Sequence, residues 1–316
     1  MDGTNNNINS EKWPKVSVII ASYNSQSQSF LAECLKSVSE QHYRGELEII
    51  VSDGGSTDES IEISKKYGAK VIHNPKKTEL GFEGGKNLAI NHSTGELIAI
   101  VDADNILMEK DYIEQLAKPF IINGNISMSF PSPYIPSKKE CNLLCKYFCC
   151  LERDLFEKYL QGKRYENWIE IVVDDIIVPN GAMIKKESLE LIGGWDYDTE
   201  VGYRLVTSGL NKFAYVYTVH RWHIEMIRYK DVWKKFERRI VNQIKESKIG
   251  KKGKIQKEIN TRLKNPVVYL MEEFINPLGN TIKKRELCYL NSIPVFVIKS
   301  ILILKYFKSL SKRNNI

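Results

Sequence analysis

The stretch LIAIVDADNIL, Leu97 to Leu107, runs from five consecutive apolar residues into two carboxylates one residue apart, Asp102 and Asp104. A continuous apolar run of this length is typical of a strand buried on both faces of a sheet. Carboxylates at the end of such a strand are costly unless a positive partner neutralises them. The stretch therefore predicts a buried strand that carries two acids to a site where a cation belongs.

The residues before this stretch alternate between strand and helix patterns. Strands are predicted at Lys15–Ile20, Leu47–Asp53, Lys70–Asn74 and Leu97–Asp104, with a helical pattern after each of the first three. Such alternation indicates a parallel sheet flanked by helices. Ligands gather at the carboxyl ends of the strands in sheets of this kind. The polar clusters ASYN, SDGGS and DADN fall at those ends, so a ligand site is predicted there.

Local signals define several further elements. In STDESIEISKKYG, residues 56–68, Ser56 or Thr57 is the expected helix cap and Gly68 the expected stop. GAMIKKESLELIGGWD predicts a strand, a helix and a Gly-Gly turn. TEVGYRLVTSGL then predicts a helix and KFAYVYTV a strand, with mostly helix after them.

The two ends of the chain differ from its middle in composition. Residues 1–14 are polar and rich in asparagine without the apolar stretch of a signal peptide, so a disordered tail is expected. From His220 to the end there are 23 Lys and Arg against 8 Asp and Glu, whereas the rest of the chain has 23 against 31. A basic region of this kind favours an acidic partner, either nucleic acid or anionic lipid.

The C-terminal segment IPVFVIKSILILKYF, residues 293–307, is the most apolar candidate for membrane contact. Lys299 and Lys305 interrupt it, and it is shorter than the roughly 18–20 apolar residues that a spanning helix needs. Two readings remain open, a helix at a membrane interface and a buried C-terminal helix. The basic stretch KIGKKGKIQK, residues 248–257, favours the membrane surface.

Four of the six cysteines lie in CNLLCKYFCC, residues 141–150. Without a secretion signal they are expected to be reduced thiols in a cytosolic protein. Cys141, Cys145 and Cys149 share one face at helical spacing. Because no C-x-x-C motif accompanies them, buried small side chains or an interfacial face are favoured over a zinc site.

Four segments together resemble the family 2 glycosyltransferases: VSVIIASYN, EIIVSDGGSTD, GGKNLAINHSTGELIAIVDADN and GGWDYDTEVGYRLVTSGL. The resemblance covers roughly residues 15–223 and implies the GT-A nucleotide-diphospho-sugar transferase fold. That fold has a mostly parallel central sheet flanked by helices. Here it is expected over residues 15–225, with a nucleotide-binding half at 15–108 and an acceptor half at 109–225. A basic helical C-terminal region, residues 226–316, would follow it at the membrane.

On this resemblance, Asp102 and Asp104 match the D-x-D motif of the family. Hard carboxylate oxygens suit Mg²⁺ or Mn²⁺, which would bridge the diphosphate of a nucleotide sugar. Asp104 is the firmer expected metal ligand, and Asp102 is expected to contact ribose or share the metal. The alternative is that the two acids cap the loop that follows them.

The resemblance assigns the remaining donor contacts to residues around these acids. Asp53 matches the acid that binds the base or ribose, although it also suits the turn before Gly54 and Gly55. Ala21 and Tyr23 match the loop that packs on the base. Lys86 stands where a cation at a helix start would meet the diphosphate, with a solvated surface lysine as the alternative.

On the acceptor side, Asp198 matches the general base that takes the proton of the attacking hydroxyl, with Glu200 in reserve. A plain helix N-cap is the alternative for Asp198. Gly181 and Trp195 are expected beside the acceptor. In VHRWH, the resemblance suggests His220 as a further metal ligand and Arg221 as a diphosphate contact.

The function implied is an inverting glycosyltransferase of polysaccharide biosynthesis. It would use a nucleoside-diphosphate sugar and a glycan or lipid-linked acceptor at the inner membrane face. An oxidoreductase is disfavoured because no G-x-G-x-x-G follows the first strand. A D-x-D phosphatase is disfavoured because it would need its nucleophile after the first strand, where ASYN stands. A nucleic-acid binder is disfavoured because the clustered acids would repel phosphate groups without a metal. Because Tyr197 departs from the family pattern, a nucleotide-binding protein without catalysis is the main alternative.

Overall fold

The computed structural model describes residues 12–26, 30–74, 77–136 and 142–223, and beyond them 228–230, 232–234, 236–237, 241, 275, 279, 283–284 and 287–311. Most of the expected disordered tail (residues 1–11), Cys141 and the basic stretch 248–257 lie outside the described residues. The chain divides into two compact units. The first comprises Met1–Ile135 with Phe156–Ile224, and the second comprises Pro136–Leu155 with Glu225–Ile316.

The first unit begins with the predicted alternation of strands and helices. Its elements are β1 (Val16–Ser22), α1 (Phe30–Ser39), β2 (Leu47–Asp53), α2 (Ser60–Lys66), β3 (Lys70–His73), α3 (Lys77–Asn91) and β4 (Leu97–Ile100). The four strands are parallel in the order β3-β2-β1-β4. Ser22 at the end of β1 is in register with Asp53 at the end of β2. The loops that follow these two strands therefore start side by side.

The chain then completes the sheet from its other side. The elements that follow are β5 (Asn105–Leu107), α4 (Tyr112–Ile122), β6 (Met128–Pro131), β7 (Ile135–Pro136), α5 (Leu143–Phe156), β8 (Lys163–Arg164), β9 (Ile169–Val172), β10 (Met183–Lys185), α6 (Lys186–Leu191), α7 (Asp198–Thr207), β11 (Lys212–Val216) and β12 (Arg221–His223). Nine strands form this sheet, in the order β3-β2-β1-β4-β10-β6-β11-β9-β8, whereas β5 and β12 belong to a second, three-stranded sheet. From the pairings, β9 and β10 run against the other seven strands of this sheet. The sheet is thus mostly parallel and flanked by helices, as predicted.

The central strands are buried on both of their faces. Leu97, Ala99 and Val101 belong to one buried apolar cluster, whereas Ile98 and Ile100 belong to another. This alternation places the two clusters on opposite sides of the sheet, because successive side chains of a strand point in opposite directions. The apolar run of LIAIVDADNIL therefore forms the doubly buried strand that the sequence predicted.

Two local predictions were wrong. β4 ends at Ile100 and not at Asp104, because the chain turns at residues 102–104 and enters β5. Helix α2 begins at Ser60, and the side chain of its N-cap residue, Glu59, makes no capping hydrogen bond. Ser56 and Thr57 do not cap it because both are bonded within the preceding loops. The predicted stop at Gly68 is confirmed, since this residue has φ +76°.

In the second unit, α5 up to Leu155 and a C-terminal helix, α8 (Ser292–Ser311), are the main described elements. Cys145 and Cys150 are buried on α5, and Cys149 is half-buried. Helix α8 has two different faces, because Val295 and Leu302 are buried whereas Ile293, Val297 and Ile301 are exposed. Within the described residues, none of the helices combines the length and apolar character required to span a membrane.

Candidate active site

The loops after β1 and β2 are bonded together around Asp53. This carboxylate is buried and accepts the backbone N–H groups of Gly55 and Ser56 at 2.8 Å each, together with the Ser56 hydroxyl. Ser56 Oγ accepts the backbone N–H of Asn24 at 2.9 Å, and Asn24 Oδ1 accepts that of Thr57 at 2.8 Å. Asp53 thus forms the turn that the sequence allowed, and it fixes the loop that carries Tyr23.

Ala21 and Tyr23 differ in their exposure. Ala21 is buried, and its Cβ lies 3.3 Å from the point where a side chain on Gly85 would begin. Helix α3 therefore packs closely on the end of β1, and a side chain at residue 85 would have little room. Tyr23 is 41% exposed, so an aromatic side chain lies at the rim of the site.

Asp102 is held by residues from two other parts of the chain. Its Oδ1 lies 3.1 Å from Nζ of Lys86, and its Oδ2 accepts a hydrogen bond from Nδ2 of Asn180. The Asn180 side chain also accepts the backbone N–H of Asp102 at 3.3 Å. One amide thus bonds to both the backbone and the carboxylate of Asp102. The acid is oriented although its side chain remains 40% exposed.

Lys86 is a buried cation and not the solvated lysine of the alternative interpretation. The predicted position at a helix start was wrong, because Lys86 lies inside α3 (Lys77–Asn91), which begins earlier than the sequence indicated. The Lys86 side chain is 8% exposed, and Nζ lies 3.3 Å from Oε1 of Glu83 in addition to its contact with Asp102. Burial alone would lower the pKa of Lys86. Asp102, Glu83 and Asp198 outweigh that effect and raise the pKa, so the ammonium stays charged.

Asp104 meets a histidine other than the one predicted. Its Oδ2 lies 3.3 Å from Nε2 of His223, and its Oδ1 accepts a hydrogen bond from Nδ2 of Asn105 at 2.8 Å. His220 turns instead to Glu109, with its Nδ1 2.8 Å from Oε1 and its backbone N–H bonded to Oε2 at 2.7 Å. The structure therefore does not bring His220 to Asp104.

The side chain of Arg221 is fully buried. Its Nη1 donates to the backbone carbonyl of Ser132 at 2.7 Å, and its guanidinium carbon lies 4.1 Å from the ring centre of Tyr134. Both contacts are structural, and the structure does not bring the side chain to the surface where a diphosphate would bind. Among the described residues, no group of three His, Cys, Asp or Glu side chains is placed to hold a metal ion without further ligands.

Asp198 is the first residue of α7, and Tyr197 occupies the N-cap position. The alternative in which Asp198 is the N-cap is therefore wrong, because the N-cap is the preceding residue. Asp198 Oδ1 accepts the backbone N–H of Thr199 at 2.8 Å, and its charge acts on both Lys86 and Glu83. Glu200 lies in the same first turn, where negative charge is favourable.

Trp195 links the loop before α7 to helix α3. Its indole Nε1–H donates to Oε2 of Glu83 at 2.7 Å, and its backbone N–H donates to Oδ1 of Asn87 at 3.0 Å. The side chain is buried, so Trp195 joins two parts of the site and does not offer its ring to an acceptor.

Gly181 has a backbone role beside Asn180. It has φ +77°, and a side chain there would begin 2.4 Å from the hydroxyl of Tyr112. Its N–H donates to the carbonyl of Ile100 at 2.7 Å, and its carbonyl accepts the Tyr112 hydroxyl at 3.2 Å. Glycine at this position lets Asn180 reach Asp102.

Sequence reasoning missed three residues of this site: Glu83, Asn180 and His223 as the partner of Asp104. The pairing of β12 with β5 sets His223 opposite Asn105, and this strand pairing decides which histidine meets the acids. Asn180 directly precedes a glycine, a common position for a turn, but its contact spans 78 residues of sequence. No local signal indicated Glu83.

The fold and the site together define an α/β protein of the GT-A type, with acidic residues and one buried lysine at the carboxyl ends of its strands. The family model described as Glycosyl transferase family 2 matches residues 17–189, more than half of the chain. The chain belongs to the family 2 glycosyltransferases.

Individual relatives resemble shorter parts of the chain. Glycosyltransferase GlyA of Streptococcus pneumoniae is 32% identical over 34% of this chain and 15% of its own length. The uncharacterised glycosyltransferase MJ1057 of Methanocaldococcus jannaschii is 28% identical over 51% of this chain and 66% of its own length. The chain thus spans less than two thirds of each of these relatives.

Staphylococcus aureus TarS is similar in both sequence and structure. Named as a poly(ribitol-phosphate) β-N-acetylglucosaminyltransferase, it is 33% identical over 29% of this chain and 17% of its own length. A crystal structure of TarS residues 1–349 in complex with UDP-GlcNAc superposes with a TM-score of 0.50 at 18% identity. That superposition covers 73% of this chain and 66% of that one. This likeness supports the GT-A fold.

Proposed function

We propose that the chain catalyses glycosyl transfer from a nucleoside-diphosphate sugar to a hydroxyl group, with inversion at the anomeric carbon. The observation that carries this proposal is the pairing of Lys86 with Asp102 at the ends of the strands. A buried ammonium beside a half-exposed acid gives the site both a phosphate partner and a metal ligand. Asp53 and Tyr23 lie on the neighbouring loops, where the base and ribose would bind.

The residues at the site fit a divalent metal ion. The carboxylates of Asp102, Glu83 and Asp198 act on the buried ammonium of Lys86, and Asp104, beside His223, adds a fourth carboxylate two residues from Asp102. Hard carboxylate oxygens with surplus negative charge suit Mg²⁺ or Mn²⁺. Asp104 and Asp102 would hold the ion, with the donor diphosphate completing its ligands. When bound, it supplies a Lewis acid for the charge that develops on the leaving diphosphate.

The protein side of the reaction falls to Lys86 and Asp198. The acceptor hydroxyl oxygen bonds to the anomeric carbon while the bond from that carbon to the diphosphate oxygen breaks. The Asp198 carboxylate takes the hydroxyl proton as general base, with Glu200 in reserve. The Lys86 ammonium stabilises the negative charge that develops on the leaving nucleoside diphosphate. A single displacement of this kind inverts the configuration.

The acceptor is proposed to be a glycan or a lipid-linked hydroxyl, reached at an anionic membrane surface. Ile293, Val297 and Ile301 recur at four-residue spacing on α8 and are 40%, 47% and 46% exposed. One apolar face of the helix is therefore uncovered, in a region of the chain that is strongly basic in sequence. Apolar residues combined with basic charge suit the interface of an anionic bilayer.

The proposal is tested by melting the protein with UDP, GDP, CDP or dTDP, each with Mn²⁺ or with EDTA. A ligand that binds only the folded state raises the melting temperature. We expect one nucleotide to do so with Mn²⁺ and to lose most of the effect in EDTA. UDP is the first candidate, because TarS is named as an N-acetylglucosaminyltransferase and was crystallised with UDP-GlcNAc. No stabilisation by any nucleotide would contradict a donor site. Binding without turnover would favour a non-catalytic nucleotide-binding protein.

A further inference from the structure

Glu83 is a largely buried carboxylate that the proposed mechanism does not use. Its side chain is 26% exposed, and burial raises the pKa of Glu83 against the opposing effect of Lys86. The two oxygens have different partners, since Oε1 faces Lys86 at 3.3 Å and Oε2 accepts the indole N–H of Trp195 at 2.7 Å. A single carboxylate thus joins a cation to a neutral donor 112 residues away.

The two partners of Glu83 belong to different sides of the site. Lys86 contacts Asp102 and stands where the donor diphosphate would bind. Trp195 lies in the loop that leads from the Gly-Gly turn to Asp198, the proposed base. The link through Glu83 therefore connects the donor side to the acceptor side.

The loop of Trp195 is held by few but specific contacts. Arg204 donates to the carbonyls of Ile192 at 2.6 Å and Gly194 at 3.0 Å, which fixes the loop against α7. Three described contacts join Trp195 to α3: its indole N–H donates to Glu83, its backbone N–H donates to Asn87, and its ring centre lies 5.6 Å from Nζ of Lys86. Glu83 thus accepts the hydrogen bond of the Trp195 indole on the helix that carries Lys86.

We propose that Glu83 is a positioning residue that couples occupation of the donor site to the order of the loop 193–198. This inference rests on the proposed function. When the metal and diphosphate engage Asp102 and Lys86, Glu83 remains as a counter-ion that keeps the ammonium in place. Through its second oxygen, the same carboxylate holds the Trp195 indole and, with it, the approach to Asp198.

Two substitutions break the link in different ways. Glu83→Gln leaves one acceptor oxygen where two donors need one each, because the amide nitrogen can only donate. Trp195→Phe removes the indole N–H without changing any charge. Trp168→Phe is the matched control, since Trp168 is also fully buried but its Nε1 has no hydrogen-bond partner among the described residues.

The test is amide hydrogen exchange of the peptide covering residues 193–200, with and without nucleotide. The nucleotide is whichever of UDP, GDP, CDP and dTDP, each with Mn²⁺, raises the wild-type melting temperature most. We expect nucleotide to slow exchange by about five-fold or more in wild type and in Trp168→Phe, at the lower end of couplings between two sites. In Glu83→Gln and Trp195→Phe the nucleotide should still raise the melting temperature but leave exchange of this peptide unchanged.

The other outcomes separate this inference from the proposed function. Equal slowing in wild type and both linking variants, or no slowing in wild type with nucleotide bound, overturns the role of Glu83 alone. A wild type that none of the four nucleotides stabilises overturns the proposed function and this inference together. If Trp195→Phe does not fold, Glu83→Gln still decides, and its melting temperature without ligand shows whether it is folded.

Discussion

Asp198 is the residue on which the proposed chemistry depends most. It begins α7 and interacts electrostatically with Lys86, so it stands close to the donor side without contacting Asp104 in any described hydrogen bond. Asp198→Asn keeps the shape of the side chain and removes its ability to take a proton. We expect release of nucleoside diphosphate from the nucleotide sugar that wild type turns over to slow by about 10²–10⁴-fold, the usual contribution of a general base.

The control for this prediction is Glu200→Gln, which changes the same charge in the same turn of α7. We expect it to slow the reaction by less than about ten-fold. Both variants should bind nucleotide with Mn²⁺ as wild type does, because neither substitution removes a contact to the nucleotide. A Glu200→Gln variant that is inactive beside an active Asp198→Asn would assign the base to Glu200.

At the level of secondary-structure elements, the turn at Gly181 positions Asn180 beside Asp102. This glycine sits with φ +77° between Asn180 and β10, and a methyl group would meet the Tyr112 hydroxyl. We expect Gly181→Ala to lower the free energy of unfolding by at least about 1–3 kcal/mol, the usual cost of such a backbone conformation. Gly124→Ala, where a side chain has open space and φ is not positive, should change it far less. Urea unfolding of the two variants measures both, and equal losses would show that the turn is not special.

The elements of the first unit could largely be predicted because their signals are local. Apolar runs predicted β1, β2 and β4, and the Gly-Gly pair predicted the turn before Trp195. The reversed directions of β9 and β10 could not be predicted, because pairing depends on contacts distant in sequence. Asp102 and Asp104 could be proposed because their pattern is local. The contact of Asn180 and the choice between His220 and His223 could not, because both depend on residues distant in sequence.

At the scale of the whole molecule, the exposed apolar face of α8 predicts membrane association. Val297→Glu and Ile301→Glu should each weaken sedimentation with anionic phosphatidylglycerol vesicles by about ten-fold or more, because each removes roughly 1.5–3 kcal/mol of apolar burial. Leu191→Glu, which changes an exposed leucine of α6 in the first unit, is the matched control and should have no effect. Equal binding of all three variants, or of wild type and a chain ending before Lys283, would contradict a role for α8.

The central claim is that the D-x-D acids and Lys86 form a metal-dependent nucleotide site. The most direct measurement is calorimetric titration of UDP into wild type and Asp104→Asn, each with Mn²⁺ and with EDTA. We expect binding to wild type with Mn²⁺ and a loss of at least about ten-fold in affinity in EDTA or in Asp104→Asn, since EDTA removes the metal ion and the substitution removes one of its carboxylate ligands. Equal affinity under all four conditions would contradict it.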